Sequence, residues 1–325
     1  MTRHLALVGA TASGKSAVAL ELAARAGDVE IVSLDSMQVY RGMDVGTAKP
    51  TPQERAAVVH HLVDVVDPDE DWSVVRTQRL ARAAITDIEA RGRRALLVGG
   101  TGLYVRAVVD DLAVPGGDET VRARLRRETA SDDGLARAYA RLAELDPGAA
   151  ERIEPGNRRR VVRALEVIES TGRPFSSFGP GIDRYGPPAF DVRLVGLWLP
   201  RDVLARRIAA RLEAMVAAGL VDEVRALADR PGGLSRTAAQ AIGYQELLSH
   251  VRGERGLADA LDLALRRTRR FARRQRVWFR RDPRITWIGT AGNGVPLADA
   301  LLACWSSGPR WDPGHLTTCG TVGTR

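Results

Sequence analysis

The chain has 325 residues, of which 45% are hydrophobic and 27% are charged, and its formal net charge is +8. This composition is typical of a soluble globular protein long enough for two lobes, and it excludes an intrinsically disordered chain. No apolar run approaches the roughly 20 residues of a membrane span and the N-terminus has no signal-peptide pattern, so we expect a cytoplasmic protein without a membrane partner.

The first predicted elements are a short apolar strand, His4 to Val8, and a helix that begins near Ala17. The turn between them matches the pattern G-x-x-x-x-G-K-[ST] at every required position, with Gly9, Ala10, Thr11, Ala12, Ser13, Gly14, Lys15 and Ser16. Because a strand precedes the turn and a helix follows it, the pattern predicts a phosphate-binding loop (P-loop) rather than a plain glycine turn. Backbone N–H groups and Lys15 would hold the anion, and the Ser16 hydroxyl suits Mg²⁺, the expected cofactor.

A second strand, Val29 to Leu34, leads into a loop rich in polar and turn-forming residues that extends to Pro50. The loop follows the carboxyl end of this strand. Open α/β sheets bind ligands at the carboxyl ends of their strands, so we interpret the loop as a substrate loop. The chain has only two lysines, Lys15 and Lys49, against 46 arginines. Their retention indicates that a compact ammonium is needed at each position, although a chance placement of Lys49 remains open.

The chain continues with a short helix from Pro52 to Val59, a longer helix from Trp72 to Arg91 and a third strand from Arg94 to Val98. Neighbouring His60 and His61 suggest a metal site, but without other ligands at a recognisable spacing we favour ordinary histidines. The third strand ends in Gly99 and Gly100 rather than in the Walker-B aspartate expected of a nucleoside triphosphatase.

Strand patterns are absent from about Leu112 to Pro188, where three helices are predicted: Glu119 to Glu128, Gly134 to Leu145 and Arg158 to Ser170. A strand from Asp191 to Leu199 then returns the chain to the sheet. The last predicted elements are helices at 201–218, 221–228, 237–251 and 257–281 and a strand at 284–288. The predicted fold is α/β, a parallel P-loop sheet core flanked by helices, with a helical insertion domain. Its parts are the first part of the core (1–111), the insertion (112–190), the rest of the core with basic helices (191–290), and a tail at 307–325 that is expected to be disordered.

Arginines are concentrated in two helices. Nine lie between Arg266 and Arg281, interleaved with Phe271, Trp278 and Phe279, and four lie between Arg158 and Arg163. An arginine-rich first turn opposes the helix dipole, which favours phosphate contacts over a merely solvated face. These segments are the strongest indication of a nucleic-acid partner. The cysteines, Cys304 and Cys319, lack metal-ligand spacing, so we expect neither a zinc site nor a disulfide framework.

Up to about residue 290, the chain resembles the bacterial tRNA dimethylallyltransferases, also called tRNA isopentenyltransferases. The resemblance rests on the P-loop, on the run from Asp35 to Pro50 (DSMQVYRGMDVGTAKP) and on Gly99 to Tyr104 (GGTGLY). Weaker similarities lie at 160–166, 241–244 and 274–280. Ala10 and Ser16 differ from the usual family residues Pro and Thr, but the hydroxyl is retained.

The resemblance implies transfer of a dimethylallyl group from dimethylallyl diphosphate to N6 of the adenine 3′ to the anticodon. It implies that Asp35 and Thr101 are catalytic and that the anticodon stem-loop of tRNA is bound. We expect the protein to be a monomer. The implied tRNA-binding residues are Asp35, Ser36, Met37, Gln38, Thr101, Arg122, Arg159, Arg160, Val161, Val162, Arg163, Gln240, Gly243, Tyr244, Arg273, Arg274, Gln275, Arg276, Trp278 and Arg280.

Three alternatives remain open. A P-loop kinase or ATPase could use the same loop for ATP, and a noncatalytic RNA-binding module could use the same arginines. Asp35 itself could cap a helix or bind a water on Mg²⁺ rather than act as the base.

Overall fold

The computed structural model describes residues 3–179, 182, 184–289, 297–299, 301, 302 and 305. Cys304, Cys319 and the tail at 307–325 lie outside these residues. The described residues form two compact units, one made of those within 1–110 and 187–305 and a second made of those within 111–186.

The first unit contains a six-stranded sheet in which all the paired strands are parallel. Its strands are β1 (His4–Gly9), β2 (Val29–Ser33), β3 (His60–His61), β4 (Arg94–Gly99), β5 (Val192–Trp198) and β6 (Thr286–Gly289). Their spatial order is β3-β2-β4-β1-β5-β6. β1 is therefore central and is buried on both faces, which explains its continuous apolar run.

The α-helices that accompany this sheet include α1 (Lys15–Ala26), α2 (Pro52–Ala57), α3 (Val74–Ala90), α4 (Gly102–Val109), α9 (Arg201–Ala217), α10 (Leu220–Ala228), α11 (Tyr244–Val251) and α12 (Leu257–Phe279). One core cluster joins the sheet to α3 and α4, and another joins it to α1. The α/β prediction with a parallel sheet is confirmed.

The second unit is helical, with α5 (Glu119–Glu128), α6 (Asp132–Leu145), α7 (Pro147–Ala150), α8 (Arg158–Thr171) and a 3₁₀ turn (Phe175–Phe178). It has its own core, which includes Leu125, Leu142 and Leu165. Its helices begin at polar caps, as at α8, where the Asn157 side chain accepts a hydrogen bond from the Arg160 N–H.

Two helix predictions differ from the structure. The predicted helix at 237–251 is wrong as a single element, because it divides into a 3₁₀ turn (Ala238–Gln240) and α11. Gly243, with φ +96°, separates them in a backbone conformation that a continuing α-helix does not contain. The sequence analysis missed α4, because its glycine-rich beginning is typical of a turn.

Among the described residues, no helix combines the length and apolar character that crossing a membrane requires. The paired histidines lie on β3. His61 Nε2 is 2.7 Å from Glu30 Oε2, and His60 Nδ1 is 2.7 Å from the Val58 carbonyl oxygen. Each imidazole therefore has a protein partner.

Candidate active site

Three predicted segments lie at the carboxyl edge of the sheet. The P-loop follows β1, the loop with Asp35 follows β2, and Thr101 follows β4. Because β2, β4 and β1 are adjacent and parallel, these segments emerge side by side. This edge is where open α/β sheets bind their ligands.

The P-loop is closed by contacts of its own residues. The Lys15 ammonium donates a hydrogen bond to the Ala10 carbonyl oxygen at 2.7 Å, and Ala12 has a left-handed backbone with φ +60°. The Ser13 hydroxyl is buried without a hydrogen-bond partner among the described residues. Strained backbone and unsatisfied polar atoms are typical of ligand sites, so the loop has the features of an anion cradle.

Arginines from α9 add positive charge at this loop. Arg211 Nη1 is 3.5 Å from Thr11 Oγ1, and a Cβ added to Gly14 would lie 3.6 Å from Arg207 Nη1. Burial lowers the pKa of Lys15 to about 8, against an attraction to Asp35 that raises it, while Arg211 lowers it further. Burial also lowers the pKa of Arg211, and Asp35 opposes that shift. The groups at this edge therefore interact electrostatically.

Arg207 and Arg211 were not identified from the sequence. Their i, i+4 spacing predicts one helix face, but α9 also contains Arg201 and Arg206. Only the packing of α9 against the P-loop distinguishes the arginines that approach the anion site.

Asp35 is partly exposed and has one oxygen engaged. Its Oδ1 accepts hydrogen bonds from the N–H groups of Met37 at 2.8 Å and Gln38 at 3.4 Å. Oδ2 makes no hydrogen bond to any described residue. The carboxylate therefore caps a local turn with one oxygen, whereas the alternative expected it to cap a helix, and it has the second oxygen available for other chemistry.

Thr101 precedes α4, and its hydroxyl makes no capping hydrogen bond. The turn around it is covered by α12. Gln275 accepts a hydrogen bond from the Thr11 N–H at 2.8 Å and donates one to the Gly100 carbonyl oxygen at 2.9 Å. Trp278 lies against Gly102 so closely that a Cβ there would overlap its indole. Gly100 and Gly102 thus allow α12 to approach closely enough to contact both the P-loop and the turn that follows β4.

The loop from Asp35 to Pro50 is stabilised by Lys49, whose side chain is only 4% exposed. Its ammonium donates to the Tyr40 carbonyl oxygen at 2.6 Å, to Asp44 at 2.5 Å and to Asp64 at 2.6 Å. The three N–H groups of the tetrahedral ammonium thus meet three acceptors. A planar guanidinium does not have donors in this arrangement. Gln38 also supports the loop by donating to the carbonyl oxygens of Thr47 and Ala48 at 3.3 and 3.2 Å.

Glu223 on α10 stabilises the same loop and was not identified from the sequence. Its two oxygens accept hydrogen bonds from the N–H groups of Asp44, Val45 and Gly46 at 2.9, 2.7 and 3.2 Å, and from the Tyr244 hydroxyl at 2.5 Å. Burial, together with the nearby Glu223 carboxylate, raises the pKa of Tyr244 well above its usual range. The structure therefore places Tyr244 beneath the loop and not at the surface.

The remaining residues predicted around α11 and α12 differ in exposure. Gln240 is exposed and Gly243 is buried, while Ser36 and Met37 are partly buried in the substrate loop. On α12, Gln275 is buried and Trp278 is partly buried. The exposed arginines with predicted RNA contacts are Arg273, Arg274 and Arg280, and Arg276 is partly exposed.

In the second unit, the predicted RNA-binding residues divide between surface and core. Arg159 is exposed and Arg160 is partly exposed, but Val161 and Val162 are buried, so their side chains stabilise the helix. Arg122 donates to Glu166 at 2.9 and 2.7 Å. Arg163 lies 3.0 Å from the same buried carboxylate and donates to the Pro115 carbonyl oxygen at 2.6 Å. These pairings lower the pKa of Glu166 against the effect of burial.

The Ser16 hydroxyl at the P-loop is of a chemical type that would suit a magnesium ion. Ser16 is exposed at the beginning of α1, and Asp35 Oδ2 is available at the same sheet edge. No cluster of three metal-ligating side chains occurs in the described part of the chain. Mg²⁺ commonly needs only one or two protein oxygens, because waters and substrate phosphates complete its shell.

Comparison with known proteins assigns the chain to a family. The model of the family described as IPP transferase matches residues 38–282, and the model described as isopentenyl transferase matches residues 2–62. The chain belongs to the IPP transferase family. The resemblance recognised from the P-loop and from the Asp35–Pro50 run is thereby confirmed.

Similar proteins of the family come from several bacteria. The chain is 53% identical over 299 residues to a tRNA dimethylallyltransferase of Salinispora arenicola, covering 92% of this chain and 85% of that protein. It is 47% identical over 302 residues to one of Geobacter metallireducens, covering 93% and 97%.

Two solved structures share the fold. A tRNA isopentenylpyrophosphate transferase of Bacillus halodurans has 38% identity and a TM-score of 0.67, with 94% of this chain and 97% of that chain covered. A eukaryotic dimethylallyltransferase described as acting on tRNA has 26% identity and a TM-score of 0.77, with 96% and 82% covered. The family assignment therefore holds in sequence and in structure.

Proposed function

We propose that this transferase moves a dimethylallyl group from dimethylallyl diphosphate to N6 of the adenine 3′ to the anticodon of tRNA. The observation that carries the proposal is the carboxyl edge of the sheet, where Lys15 and Arg211 interact electrostatically with Asp35 and where Thr101 follows the adjacent strand β4. This edge offers cations for a leaving diphosphate and a carboxylate for a proton. The family assignment supports the same reaction.

The reaction breaks the bond between the allylic carbon and the diphosphate oxygen and forms a bond from that carbon to N6. The diphosphate leaves with both electrons of the broken bond, so its negative charge grows in the transition state. P-loop N–H groups, Lys15 and Arg211 stabilise that charge. Thr101 donates a hydrogen bond to the bridging oxygen, and Asp35 accepts the proton released from N6.

Mg²⁺ remains a proposed cofactor. When bound, it would neutralise part of the diphosphate charge, with Ser16 as the protein ligand from the P-loop. The protein's own side chains that act on the diphosphate are Lys15, Arg211 and Thr101.

The RNA partner is supported by arginines without acidic neighbours. Arg270 on α12 and Arg159 on α8 are exposed and make no ion pair with any described residue, whereas Arg266 pairs with Asp262 and Arg267 with Glu246 at 2.5 Å. Unpaired surface arginines are suited to phosphates, and an adenine must be unstacked from its loop before it reaches a pocket. A monomer in the cytoplasm is sufficient for this function.

Radiolabelled dimethylallyl diphosphate incubated with bulk tRNA tests the proposal. Label should appear in tRNA and, after digestion, in N6-isopentenyladenosine. A parallel incubation with labelled ATP separates the kinase and ATPase alternative, which requires phosphate release or transfer. RNA binding without either reaction would instead favour the noncatalytic module.

Diphosphate affinity should fall as pH rises through about 8, because the pKa of Lys15 is lowered to about that value by burial. Below this pH the ammonium is charged and attracts the anion, and above it the neutral amine does not. Calorimetric titration with inorganic pyrophosphate between about pH 6.5 and 9.5 measures the effect.

The control is Lys15→Arg, because arginine stays charged over this pH range. The ionisation of pyrophosphate itself affects binding to both proteins in the same way. Equal pH profiles for the wild type and for Lys15→Arg would contradict the assigned titration of Lys15.

Glu223→Gln should loosen the substrate loop, because an amide supplies one acceptor oxygen where three N–H groups and a hydroxyl need two. We expect about a tenfold loss in kcat/KM for tRNA and a lower free energy of unfolding by about 1–3 kcal/mol. Urea unfolding and steady-state kinetics measure the two effects.

Asp222→Asn is the matched control, since Asp222 is the neighbouring acid on α10 and pairs at the surface with Arg225. Equal values of kcat/KM and of the free energy of unfolding in the two variants would contradict the role of Glu223 in stabilising the loop.

A further inference from the structure

α12 has a buried face that points away from its exposed arginines. Ala272, Gln275 and Phe279 lie on this face, at helical spacings of three and four residues. Ala272 packs with Ala10 of the P-loop, and Phe279 belongs to the core on one side of the sheet. Gln275 is the polar residue among them and is only 6% exposed. A buried amide needs hydrogen-bond partners, so the partners of Gln275 show what this face of α12 holds in place.

The Gln275 side chain joins two peptide units of the candidate site. Its Oε1 accepts the hydrogen bond from the Thr11 N–H at 2.8 Å, and its Nε2 donates to the Gly100 carbonyl oxygen at 2.9 Å. The first peptide unit lies in the P-loop, and the second leads directly into Thr101. A side-chain amide supplies an acceptor and a donor on the same planar carbon. Gln275 therefore fixes the end of β4 relative to the P-loop.

These hydrogen bonds continue to Lys15. The Lys15 ammonium donates to the Ala10 carbonyl oxygen at 2.7 Å, and that carbonyl belongs to the same peptide unit as the Thr11 N–H. A chain of three hydrogen bonds thus runs from Lys15 through this peptide unit and Gln275 to the peptide unit before Thr101. Every donor in the chain points the same way, and aligned hydrogen bonds polarise one another. Lys15 and Thr101 are therefore connected although they follow different strands.

The space around the Gln275 amide is narrow. A Cβ added to Gly100 would lie 2.5 Å from Gln275 Nε2 and 3.3 Å from the Gly9 carbonyl oxygen. Gly9 ends β1 and Gly100 follows β4, and these strands are neighbours in the sheet. Because Gly100 has no side chain, the amide can enter between the ends of the two strands.

We propose that Gln275 is a positioning residue for the transfer step, which holds Thr101 at the separation from Lys15 that a bound diphosphate requires. This inference rests on the proposed function, in which Lys15 stabilises the leaving diphosphate and Thr101 donates to its bridging oxygen. Both groups act on one anion, so the separation of their loops decides whether Thr101 meets the bridging oxygen. A displacement of about 1 Å is enough to cost about 10²-fold in rate. The resemblance implied an RNA contact for Gln275, whereas the proposal assigns its buried amide to the two loops.

Gln275→Met tests the proposal, because methionine has a similar length and removes both hydrogen bonds. We expect kcat to fall about 10- to 100-fold at saturating donor and tRNA. The dissociation constant for unmodified tRNA and the KM for the donor should each stay within about threefold of the wild-type values. The matched control is Gln245→Met, since Gln245 is an exposed glutamine of α11 that accepts a hydrogen bond from Arg267 of α12 at 2.6 Å. Its kcat should equal that of the wild type.

Gln275→Glu gives a readout that a loss of packing does not give. The carboxylate form accepts from the Thr11 N–H but repels the Gly100 carbonyl oxygen, whereas the protonated form has an O–H that donates to this carbonyl. Burial favours the protonated form. The ratio of variant to wild-type kcat should therefore rise as the pH falls from about 8.5 to 5.5, while the ratio for Gln275→Met should stay constant. Lys15 and Asp35 are present in all these proteins, so their own titrations divide out of the ratio.

Three results would overturn the proposal. The first is a wild-type kcat in Gln275→Met. The second is a loss confined to tRNA affinity, which would make Gln275 an RNA contact. The third is a ratio of kcat values for Gln275→Glu that does not change with pH. Thermal unfolding checks the fold of each variant, and if Gln275→Met does not fold, the pH profile of Gln275→Glu decides.

Amide hydrogen exchange separates this inference from the proposed function, because it requires no transfer reaction. The Thr11 N–H should exchange about tenfold faster in Gln275→Met than in the wild type and in Gln245→Met, when followed by NMR. Equal exchange at Thr11 in all three proteins would show that Gln275 does not hold the P-loop, and would also overturn the proposal. Failure of the wild type to label tRNA would instead refute the proposed function, while exchange at Thr11 would still report whether Gln275 holds the loop.

Discussion

Replacing Asp35 by Asn should lower the turnover number about 10²–10⁴-fold, the range that positioned acid–base groups contribute. The adenine N6 lone pair is delocalised into the ring, so N6 becomes nucleophilic only as its proton leaves. Asp35 Oδ2 makes no hydrogen bond to any described residue and is available for that proton, while Oδ1 holds the turn through Met37 and Gln38. Single-turnover kinetics with saturating donor and tRNA measure the loss.

Asparagine can retain the turn, because its Oδ1 still accepts the hydrogen bonds from Met37 and Gln38. Binding of tRNA and of the donor should therefore change little in Asp35→Asn. Normal turnover, or a loss confined to Mg²⁺ or donor affinity, would remove Asp35 from the role of base. Asp44→Asn is the comparison, since Asp44 pairs with Lys49 and should affect the loop rather than proton transfer.

Lys15→Ala should weaken donor binding and slow the chemical step together. A charge on the leaving diphosphate acts in the ground state and more strongly in the transition state, so kcat and KM should both deteriorate. A loss of about 10²–10³-fold in kcat/KM is expected for one group that stabilises a developing anion. Steady-state kinetics with varied dimethylallyl diphosphate give both constants.

Lys49→Ala serves as the contrast, because Lys49 is engaged by Tyr40, Asp44 and Asp64. Lys49→Ala should mainly reduce the free energy of unfolding, and it should alter the KM for the donor only slightly. Full activity of Lys15→Ala would refute the assignment of the P-loop to the leaving group.

Local patterns predicted the elements that position the site. The P-loop, its flanking β1 and α1, and the carboxyl-edge position of Asp35 follow from hydrophobic periodicity and from glycine spacing. Even the need for an ammonium at Lys49 was visible in the use of only two lysines. These features depend on residues close together in the chain, so local sequence patterns are sufficient to predict them.

The parts that were missed depend on contacts between distant residues. Arg211 reaches Thr11 across 200 positions, and Glu223 reaches the loop at Val45 across 178. Gln275 was predicted to contact RNA but lies buried between Thr11 and Gly100. In each case the sequence identifies a polar residue on a helix, and tertiary packing alone decides which neighbour it meets.

The hydrogen bond from the Thr11 N–H to Gln275 has a consequence for biosynthesis. The P-loop leaves the ribosome before β5 and α12 do, so β1 gains its β5 partner only after residue 198 is made, and Thr11 gains its acceptor only after residue 275. At about 5–20 residues per second, the 264 residues between Thr11 and Gln275 take roughly 13–53 s to make. During this time the nascent chain carries a P-loop motif that lacks its final neighbours. The phosphate-binding loop is thus made early relative to α12 but is completed only after residue 275 has been added.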